Sequence, residues 1–402
     1  MKISLCQLNF CLGDFQNNKE KIINNYNHSI QSGADIVIFP EMSTIGYPPQ
    51  DLLWDKNFVE KNIQITNDIS KISSKPIIFG CVRKDKAKLY NSAAICYDGR
   101  IQKYIDKILL PTYDVFDETR YFSSGSTPSV WDFPINGKTI KIGIQICEDL
   151  WDDDYDCKVS ETQKDLGASL IINISASPYS KGKPDDRVKL INTKVNKTRL
   201  PFIYCNMVGA QDELIYDGES FVMNSSGSII AYLNAFMEDN VIVDINSKET
   251  INIPSLSFEE KAYKALVLGL RDYFHKTNHS DAIIGLSGGI DSALVCCLAV
   301  EALGNNHVHG VYMPSKYSSN HSLKDSKELA HNLEIDYKVI SIKNLVKKYD
   351  ETLFEFFDGL KPDEAEQNIQ SRIRGNILMA LSNKFNWMVL STGNKTELAL
   401  GY

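Results

Sequence analysis

The spacing of apolar residues changes near residue 250, and this change restricts the chain to an α/β protein of two domains. In residues 1–246 the apolar runs are short and strand-like, with helical stretches between them. Residues 247–257 are polar and contain one proline, and an amphipathic helix follows them. From residue 258 onward strands alternate with helices, which requires parallel pairing in a doubly wound sheet. We therefore predict domains at 1–246 and 258–402, joined by a linker at 247–257.

The region 1–246 shows the short apolar runs of a sheet-rich domain. Asp98 and Gly99 lie between two strand-like runs, and this pair predicts a tight hairpin turn. Alternation in the run before Cys147 places isoleucines on one face and leaves the cysteine at the end of the strand. The predicted strands are Ile36–Phe39, Ile77–Cys81, Ile140–Ile146, Leu170–Ile174, Phe202–Cys205, Phe221–Met223 and Val241–Asp244. The predicted helices are Asn17–Gln31 and Asp185–Arg199.

The region 258–402 predicts a parallel sheet with helical crossovers. Its predicted strands are Ala282–Leu286, His309–Met313, Tyr337–Ile342 and Trp387–Leu390. Its predicted helices are Phe258–His275, Ser292–Leu303, Ser322–Leu333 and Glu364–Lys384. Such sheets usually have more than four strands, so we expect a further helix and strand beyond this sequence.

Composition excludes several classes of function. The chain has 51 acidic and 43 basic side chains, and a net charge of −8 argues against binding to nucleic acid or to an anionic membrane surface. No segment approaches the roughly 18 apolar residues of a membrane span, and the first residues lack the apolar core of a signal peptide. Nine cysteines without a repeated spacing are typical of reduced thiols. We therefore expect a cytoplasmic protein.

Three reactive side chains each follow a predicted strand in the first region, namely Glu41, Lys107 and Cys147. A carboxylate can remove the proton of a thiol, and an ammonium group can stabilise both the thiolate and the oxyanion formed when a carbonyl is attacked. The trio suits acyl transfer from an amide. On residue types alone, a structural cysteine at a strand end remains the alternative.

The segments around these residues resemble the signatures of the nitrilase, or carbon–nitrogen hydrolase, superfamily. The segments are FPEMSTIGYPPQDLL, DKILLPTYDVFDETRYF and IQICEDLWDD, and the resemblance covers about residues 1–245. It implies a four-layer α-β-β-α sandwich in which Glu41 is the general base, Lys107 the oxyanion stabiliser and Cys147 the nucleophile. It also implies that Glu118 positions the lysine and the substrate.

The first of these segments resembles the glutaminase branch of the superfamily. For that branch Tyr47 and Tyr113 would line the pocket, and Ser177 and Lys183 would help to hold the α-carboxylate and amine of glutamine. Other interpretations stay open, because the tyrosines could be packing residues, Ser177 could open a turn and Lys183 could be solvated. The acidic stretch at 151–156 is typical of a solvated loop or helix start.

A glycine-containing loop, SGGIDSA, separates a predicted strand from a predicted helix in the second region. Gly288 and Gly289 let the backbone approach a ligand, and Ser287, Ser292 and the free N–H groups of the helix start would cradle a phosphate. The loop lacks the terminal lysine of a Walker motif, so a nucleotide hydrolase of that type is disfavoured. Asp291 would meet phosphate through Mg²⁺. A tight structural turn is the alternative.

The loop is similar to that of the N-type ATP pyrophosphatases, and three later segments resemble NAD synthetases. These segments are YMPSKYSSNHSLKDSKELAHNLEI, QNIQSRIRGNILMALSN and MVLSTGNKTELALGY. The resemblance implies a Rossmann-like sheet of adenine nucleotide α-hydrolase type, with the order 3-2-1-4-5, here incomplete. Arg372 and Arg374 would lie near the dinucleotide and ATP, although their spacing puts them on different faces of the helix. The implied ATP-binding residues are Ser287, Gly288, Gly289, Ile290, Asp291, Ser292 and Thr392, those for deamido-NAD are Arg372 and Glu397, and those for metal are Asp291 and Glu397.

As a whole, the chain resembles the glutamine-dependent NAD synthetases. The resemblance implies that glutamine releases ammonia in the first domain, and that ATP activates deamido-NAD for amidation in the second. It also implies an internal ammonia tunnel and large homo-oligomers, often octamers. Family members continue beyond ALGY with a metal or substrate loop and a later lysine. We therefore expect the sequence as written to keep glutaminase chemistry without completing the amidation.

Two other functions stay open. The first region could be a stand-alone amidase or glutaminase whose second domain only mediates assembly. A nucleotide-sensing or scaffold protein is the non-enzymatic alternative, and it would require Cys147 to be dispensable.

Overall fold

The structure, a computed structural model, describes residues 1–135, 138–361 and 363–400. The chain divides into two compact units, Met1–Ala265 and a second unit that begins at Leu266. The division falls inside the helix Phe258–Lys276, eight residues after the predicted start of the second domain. Within the described ranges, no helix combines the length and the apolar character that a membrane crossing requires.

The first unit contains two six-stranded sheets and a separate two-stranded ribbon. Its strands are β1 (Lys2–Gln7), β2 (Ile36–Ile38), β3 (Ile77–Asp85), β4 (Lys88–Tyr97), β5 (Arg100–Asp106), β6 (Val130–Ile135), β7 (Lys138–Ile146), β8 (Leu170–Ser175), β9 (Phe202–Asn206), β10 (Val208–Gln211), β11 (Leu214–Asp217), β12 (Phe221–Met223), β13 (Ile229–Tyr232) and β14 (Asp239–Asp244). The first sheet has the order β14-β1-β2-β3-β4-β5, and the second has the order β13-β12-β9-β8-β7-β6. The ribbon pairs β10 with β11.

Helices cover the outer face of each sheet, which gives the predicted four-layer sandwich. They are α1 (Phe15–Gln31), α2 (Lys56–Lys71), α3 (Val159–Asp165) and α4 (Lys183–Thr198). In β8 the side chain of Ile172 packs between the sheets, and that of Ile171 packs towards α4. Because the inner strands are buried on both faces, their sequences are continuously apolar rather than alternating.

Local signals in the first unit placed several elements correctly. Asp98 and Gly99 both have positive φ, 56° and 71°, and Tyr97 pairs with Arg100, so the predicted two-residue hairpin is confirmed. Helix α1 begins two residues before its predicted start, because Asp14 accepts a hydrogen bond from the backbone N–H of Asn17 and caps the helix. Strand β1 and helix α2 were not predicted.

The second unit is built on a four-stranded parallel sheet with the order β17-β16-β15-β18. In chain order this is 3-2-1-4, as the resemblance implied. Strand β18 forms one edge and pairs with β15. The elements are α5 (Phe258–Lys276), shared by both units, then β15 (Ala282–Gly285), α6 (Ile290–Leu303), β16 (Val308–Tyr312), α7 (Asn320–Asn332), β17 (Asp336–Val339), α8 (Lys343–Phe357), α9 (Glu364–Phe385), β18 (Met388–Leu390) and α10 (Lys395–Leu400).

Candidate active sites

The three predicted reactive side chains lie in one buried cluster of the first unit. Glu41 follows β2, Lys107 follows β5 and Cys147 follows β7, and all three side chains are buried. The ammonium group of Lys107 donates hydrogen bonds to Glu41 Oε1 at 2.9 Å and to Glu118 Oε1 at 2.8 Å. Burial alone would lower the pKa of Lys107, but the carboxylates of Glu118 and Glu41 outweigh it and hold the pKa well above its usual value. The lysine is therefore a permanent cation.

Both carboxylate oxygens of Glu41 are held in place. Oε1 also accepts a hydrogen bond from Asn91 Nδ2 at 2.6 Å, and Oε2 accepts one from the backbone N–H of Ala176 at 2.8 Å. Asn91 belongs to the first sheet, whereas Ala176 follows β8 of the second. The carboxylate of Glu41 is thus fixed by groups from both sheets of the sandwich.

Gly80 packs directly against the backbone of Glu41 and Met42, and its replacement tests whether this close contact positions the Glu41 carboxylate. A Cβ atom at Gly80 would lie 2.1 Å from the backbone nitrogen of Met42 and 2.5 Å from the carbonyl carbon of Glu41. Because backbone must then move, we expect Gly80→Ala to lower the free energy of unfolding by about 1–3 kcal/mol or more and to displace the Glu41 carboxylate. Thermal unfolding and glutamine hydrolysis measure the two effects. Gly99→Ala is a control for the activity only: its added Cβ has no neighbour nearer than 3.7 Å, and the strain of its positive φ of 71° falls in a turn outside the segments of Glu41, Lys107 and Cys147.

Cys147 occupies a sharp turn at the end of β7. Its φ is 44°, a left-handed conformation that is costly for a residue with a side chain, and a short 3₁₀-helix, Cys147–Leu150, begins there. Burial, and then the nearby Glu41, raises the pKa of the thiol well above its usual value, while Lys107 acts in the opposite direction. The resting side chain is therefore a thiol, which needs a base to become a nucleophile.

Glu118 is the second carboxylate on Lys107. It begins a short 3₁₀-helix and also accepts a hydrogen bond from the hydroxyl of Tyr47 at 2.8 Å. Burial raises its pKa, and Lys107 partly offsets this. Tyr47 is buried, and its hydroxyl contacts the cluster of Glu41, Lys107, Glu118 and Cys147 directly.

Glu148 was not predicted as a site residue. It directly follows Cys147 and lies near two of the predicted glutamine-binding residues, Tyr113 and Lys183. Its carboxylate accepts hydrogen bonds from the hydroxyls of Tyr113 at 2.8 Å and Tyr155 at 3.1 Å. Burial raises the pKa of Glu148 and lowers the pKa of Lys183, whose ammonium group lies 3.6 Å from the ring centre of Trp151. The only sequence signal for Glu148 is its position directly after Cys147.

Ser177 belongs to a backbone segment held by buried polar groups. Its N–H donates to Asn206 Oδ1 at 2.9 Å, and its carbonyl accepts from Arg187 Nη2 at 2.9 Å. Arg187 is itself buried and donates to both carboxylate oxygens of Asp217 at 2.7 Å. The segment is therefore fixed more firmly than a simple turn would be.

The acidic stretch at 151–156 is not entirely solvated, and that prediction was wrong for one residue. Asp152 is buried and forms an ion pair with the buried Lys194, which also bonds Asp153 at 3.0 Å. The reason is that α4 brings a lysine to the acidic loop, a long-range contact that the run of aspartates does not reveal.

The glycine loop of the second unit lies between β15 and α6, as predicted. Gly288 has φ 80°, and a Cβ atom there would lie 2.6 Å from the carbonyl oxygen of Ser322. Ser287 Oγ lies 3.1 Å from Ser292 Oγ and accepts a hydrogen bond from the N–H of Gly289 at 3.1 Å. The serine hydroxyls therefore fix the loop at the first turn of the helix.

Two cavities adjoin the loop. A cleft of about 540 Å³ is lined by Ser287, Thr392 and Arg374, together with residues of β15, β16 and α9. A smaller cavity of about 280 Å³ is lined by Gly288, Gly289, Ile290 and Ser292, among others. Arg372 is exposed and does not line the cleft, whereas Arg374 does and also donates to the carbonyl of Met313 at 3.1 Å. The two arginines thus lie on different faces of α9, as their spacing predicted.

Asp291 and Glu397 lie on either side of Asn394. The amide nitrogen of Asn394 is 3.5 Å from Asp291 Oδ2, and its backbone N–H donates to Glu397 Oε2 at 3.0 Å. Among residues 1–135, 138–361 and 363–400, no group of three or more His, Cys, Asp or Glu side chains is placed to hold a metal ion. The carboxylates of Asp291 and Glu397 are nevertheless suitable ligands for Mg²⁺, because this ion is usually held by one or two carboxylates together with the phosphates of its substrate.

Comparison with known proteins identifies both units. The carbon–nitrogen hydrolase family model matches residues 2–254, and the NAD synthase family model matches residues 262–402. The glutamine-dependent NAD(+) synthetase of Synechocystis sp. is 42% identical over the whole chain, which spans 75% of that relative.

Solved structures show the same similarity. The glutamine-dependent NAD(+) synthetase of Acinetobacter baumannii, solved with ADP, is 37% identical with a TM-score of 0.94, covering 100% of this chain and 76% of its own. An amidase of the nitrilase superfamily from Nesterenkonia has the fold of the first unit, with 18% identity, a TM-score of 0.53 and coverage of 61% of this chain and 90% of its own. The chain belongs to the family of glutamine-dependent NAD(+) synthetases.

Proposed function

We propose that this protein converts deamido-NAD, ATP and glutamine to NAD, AMP, pyrophosphate and glutamate. Glutamine would be hydrolysed in the first domain, 1–246, and its ammonia used in the second, 258–402. The observation that carries the proposal is the buried cluster of Glu41, Lys107 and Cys147 in one chain with a phosphate-type glycine loop. The catalytic and binding roles below are part of this proposal.

The cluster supplies each group that amide hydrolysis needs. Glu41 takes the proton of the Cys147 thiol as the sulfur attacks the carboxamide carbon, and Lys107 stabilises the developing oxyanion. Glu41 then gives the proton to the leaving nitrogen, so that ammonia departs and a thioester remains. Water, activated by Glu41, adds to the thioester, and the sulfur leaves as thiol with release of glutamate.

The surrounding charges suit the α-amino and α-carboxylate groups of glutamine. The carboxylate of Glu148 would accept hydrogen bonds from the ammonium of the substrate, and Lys183 would pair with its carboxylate. Tyr113, which holds Glu148 and is 48% exposed, lies at the rim of this pocket. Ser177, fixed by Asn206 and Arg187, would present its hydroxyl to the same end of the substrate.

The second unit provides an adenine nucleotide site. The first turn of α6 and the Gly288-Gly289 backbone would hold the ATP phosphates. The A. baumannii relative was solved in complex with ADP, which supports adenine nucleotide binding by this chain. The nicotinate carboxylate of deamido-NAD attacks the α-phosphorus, pyrophosphate leaves, and ammonia then displaces AMP to form the amide. Asp291 and Glu397 would hold Mg²⁺, which when bound offsets the charge of the phosphates. Thr392, Arg374 and the exposed Arg372 would contact the two nucleotides.

Isotope transfer tests the whole reaction. The protein is incubated with amide-¹⁵N glutamine, ATP and deamido-NAD, and mass spectrometry follows label in the carboxamide of NAD. Label in NAD is the result expected from the family to which the chain belongs, and it would overturn the expectation from the sequence that the chain as written hydrolyses glutamine without completing the amidation. Release of labelled ammonia that is unaffected by ATP and deamido-NAD, with no labelled NAD, would instead support a stand-alone glutaminase. A homo-oligomer, expected from the family resemblance, stays a prediction that light scattering can check.

A glycine substitution tests the nucleotide site by itself. Gly288→Ala adds a methyl group in a left-handed backbone conformation and against the Ser322 backbone, so we expect ATP affinity to fall at least about tenfold. Calorimetric titration with ATP measures the loss. Gly289→Ala is the matched comparison, since its φ is −91° and its nearest neighbour is the movable hydroxyl of Ser287 at 3.2 Å. Equal affinity in both variants would contradict the assignment of this loop to phosphate.

A further inference from the structure

Asp149 is a buried carboxylate that joins two catalytic segments. Asp149 is 2% exposed, and its carboxylate accepts three hydrogen bonds from backbone N–H groups. Oδ1 accepts from the N–H of Ile108 at 3.0 Å and of Leu109 at 2.9 Å. Oδ2 accepts from the N–H of Ile146 at 3.0 Å.

The two oxygens serve different parts of the chain. Ile108 and Leu109 directly follow Lys107, whereas Ile146 directly precedes Cys147. The hydrogen bond to Ile146 is local, whereas the bonds to Ile108 and Leu109 join residues about 40 positions apart in the sequence. Hydrogen bonds to a carboxylate are charge-assisted and shorter and stronger than those between neutral groups. The carboxylate therefore sets how the segment carrying the ammonium group lies against the turn carrying the sulfur.

We propose that Asp149 is a positioning residue for amide hydrolysis, which fixes the Lys107 ammonium group relative to the Cys147 sulfur. The inference rests on the proposed glutaminase function. An oxyanion must form within hydrogen-bond distance of the lysine while its carbon is bonded to the sulfur, so the separation of these two groups is set closely. A misplacement of about 1 Å can cost about 100-fold in rate.

An amide at this position gives a sharp test. Asn has one oxygen, so Asp149→Asn keeps the link to Ile108 and Leu109 or the link to Ile146, but loses the other. Burial raises the pKa of Asp149 to about 6, and assays at pH 8 therefore compare the amide with the carboxylate form. Asp152→Asn is the matched control in the same loop. Asp152 is equally buried and also uses both oxygens, towards Lys194 and the N–H of Val159, which are not catalytic segments.

We expect Asp149→Asn to lower kcat for glutamine hydrolysis about 100-fold with KM changed less than about threefold. Asp152→Asn should lower the melting temperature but keep kcat within about threefold of the original value, because it leaves the catalytic segments linked. A kcat that is unchanged in Asp149→Asn, or that falls equally in both variants, would overturn the proposal.

A second readout separates this proposal from the proposed function. Alkylation of Cys147 by iodoacetamide, followed on its own peptide by mass spectrometry, needs no substrate. A displaced lysine stabilises the thiolate less, so we expect alkylation to slow about tenfold in Asp149→Asn, as a one-unit rise in thiol pKa would give. Equal alkylation in the original protein and the variant contradicts the positioning role even if glutamine is not hydrolysed. If Asp149→Asn does not fold, Asp149→Glu keeps the charge but lengthens the link by one methylene, and an unchanged kcat in it overturns the proposal.

Discussion

Replacement of Cys147 by alanine is expected to abolish glutamine hydrolysis, with kcat lowered at least about 10⁴-fold. The variant loses the only atom in the cluster that can form the thioester, while Glu41 and Lys107 remain paired. Glutamate release measured by a coupled assay gives the rate. Because removing a buried thiol leaves a small space and no unpaired charge, the melting temperature should change little.

Cys157→Ala is the control for this substitution. Cys157 is half-buried and lies ten residues further along the chain, outside the cluster of Glu41, Lys107 and Cys147, so its loss should leave hydrolysis unchanged. Undiminished ammonia release from Cys147→Ala would rule out the thioester mechanism.

Replacement of Lys107 by methionine is expected to affect both catalysis and folding. The oxyanion loses its stabilising cation, and loss of one such group costs about 10²–10³-fold in kcat. The carboxylates of Glu41 and Glu118 also lose their shared buried partner, which should cost about 3–5 kcal/mol of stability at neutral pH. Glutamine hydrolysis and urea unfolding at several pH values measure the two effects.

The pH dependence of Lys107→Met has a definite sign. In the native chain burial raises the pKa of Glu118, and the charge of Lys107 offsets part of this rise. Without Lys107 the folded-state pKa of Glu118 should therefore be higher still. A carboxyl group whose pKa is raised by folding binds a proton more readily in the folded state. Stability is therefore highest below the unfolded-state pKa and falls as the pH rises through the folded-state value. The variant should be destabilised least in acid.

A second buried lysine distinguishes the catalytic loss from the structural one. Lys194, like Lys107, is buried and pairs with two carboxylates, here Asp152 and Asp153. Lys194→Met should therefore be destabilised as well, yet keep the rate of glutamine hydrolysis per folded molecule. Similar rate losses in both variants would indicate that Lys107 acts only on folding.

Short-range patterns were sufficient to predict where the proposed catalytic groups lie along the chain. Periodicity located the strands before Lys107 and Cys147, and a strand end fixes the direction of the side chain that follows. The Asp98-Gly99 turn and the end of helix α6 at Leu303 were equally local and were confirmed. The parallel sheet of the second unit followed from the alternation of strands and helices, since that connection permits few topologies.

The residues that organise the site were not predictable in the same way. Asp149, Glu148 and Arg187 each bind a partner 30 to 41 residues away, namely Ile108, Tyr113 and Asp217, and nothing in their immediate sequence distinguishes them from solvated charges. Helix α2 was missed because it contains β-branched and aromatic residues among charged ones, and the packing of its buried face rather than local preference makes it helical. Helix α8 was missed as well.

The attachment of Glu41 to both sheets has a consequence for the order of events during refolding. Either half of the sandwich on its own can place only some of the partners of this carboxylate, because Asn91 and Ala176 come from opposite sides. Recovery of glutaminase activity should therefore lag behind the return of secondary structure and coincide with the docking of the two halves. The return of activity during refolding therefore reports when the two halves of the sandwich have docked.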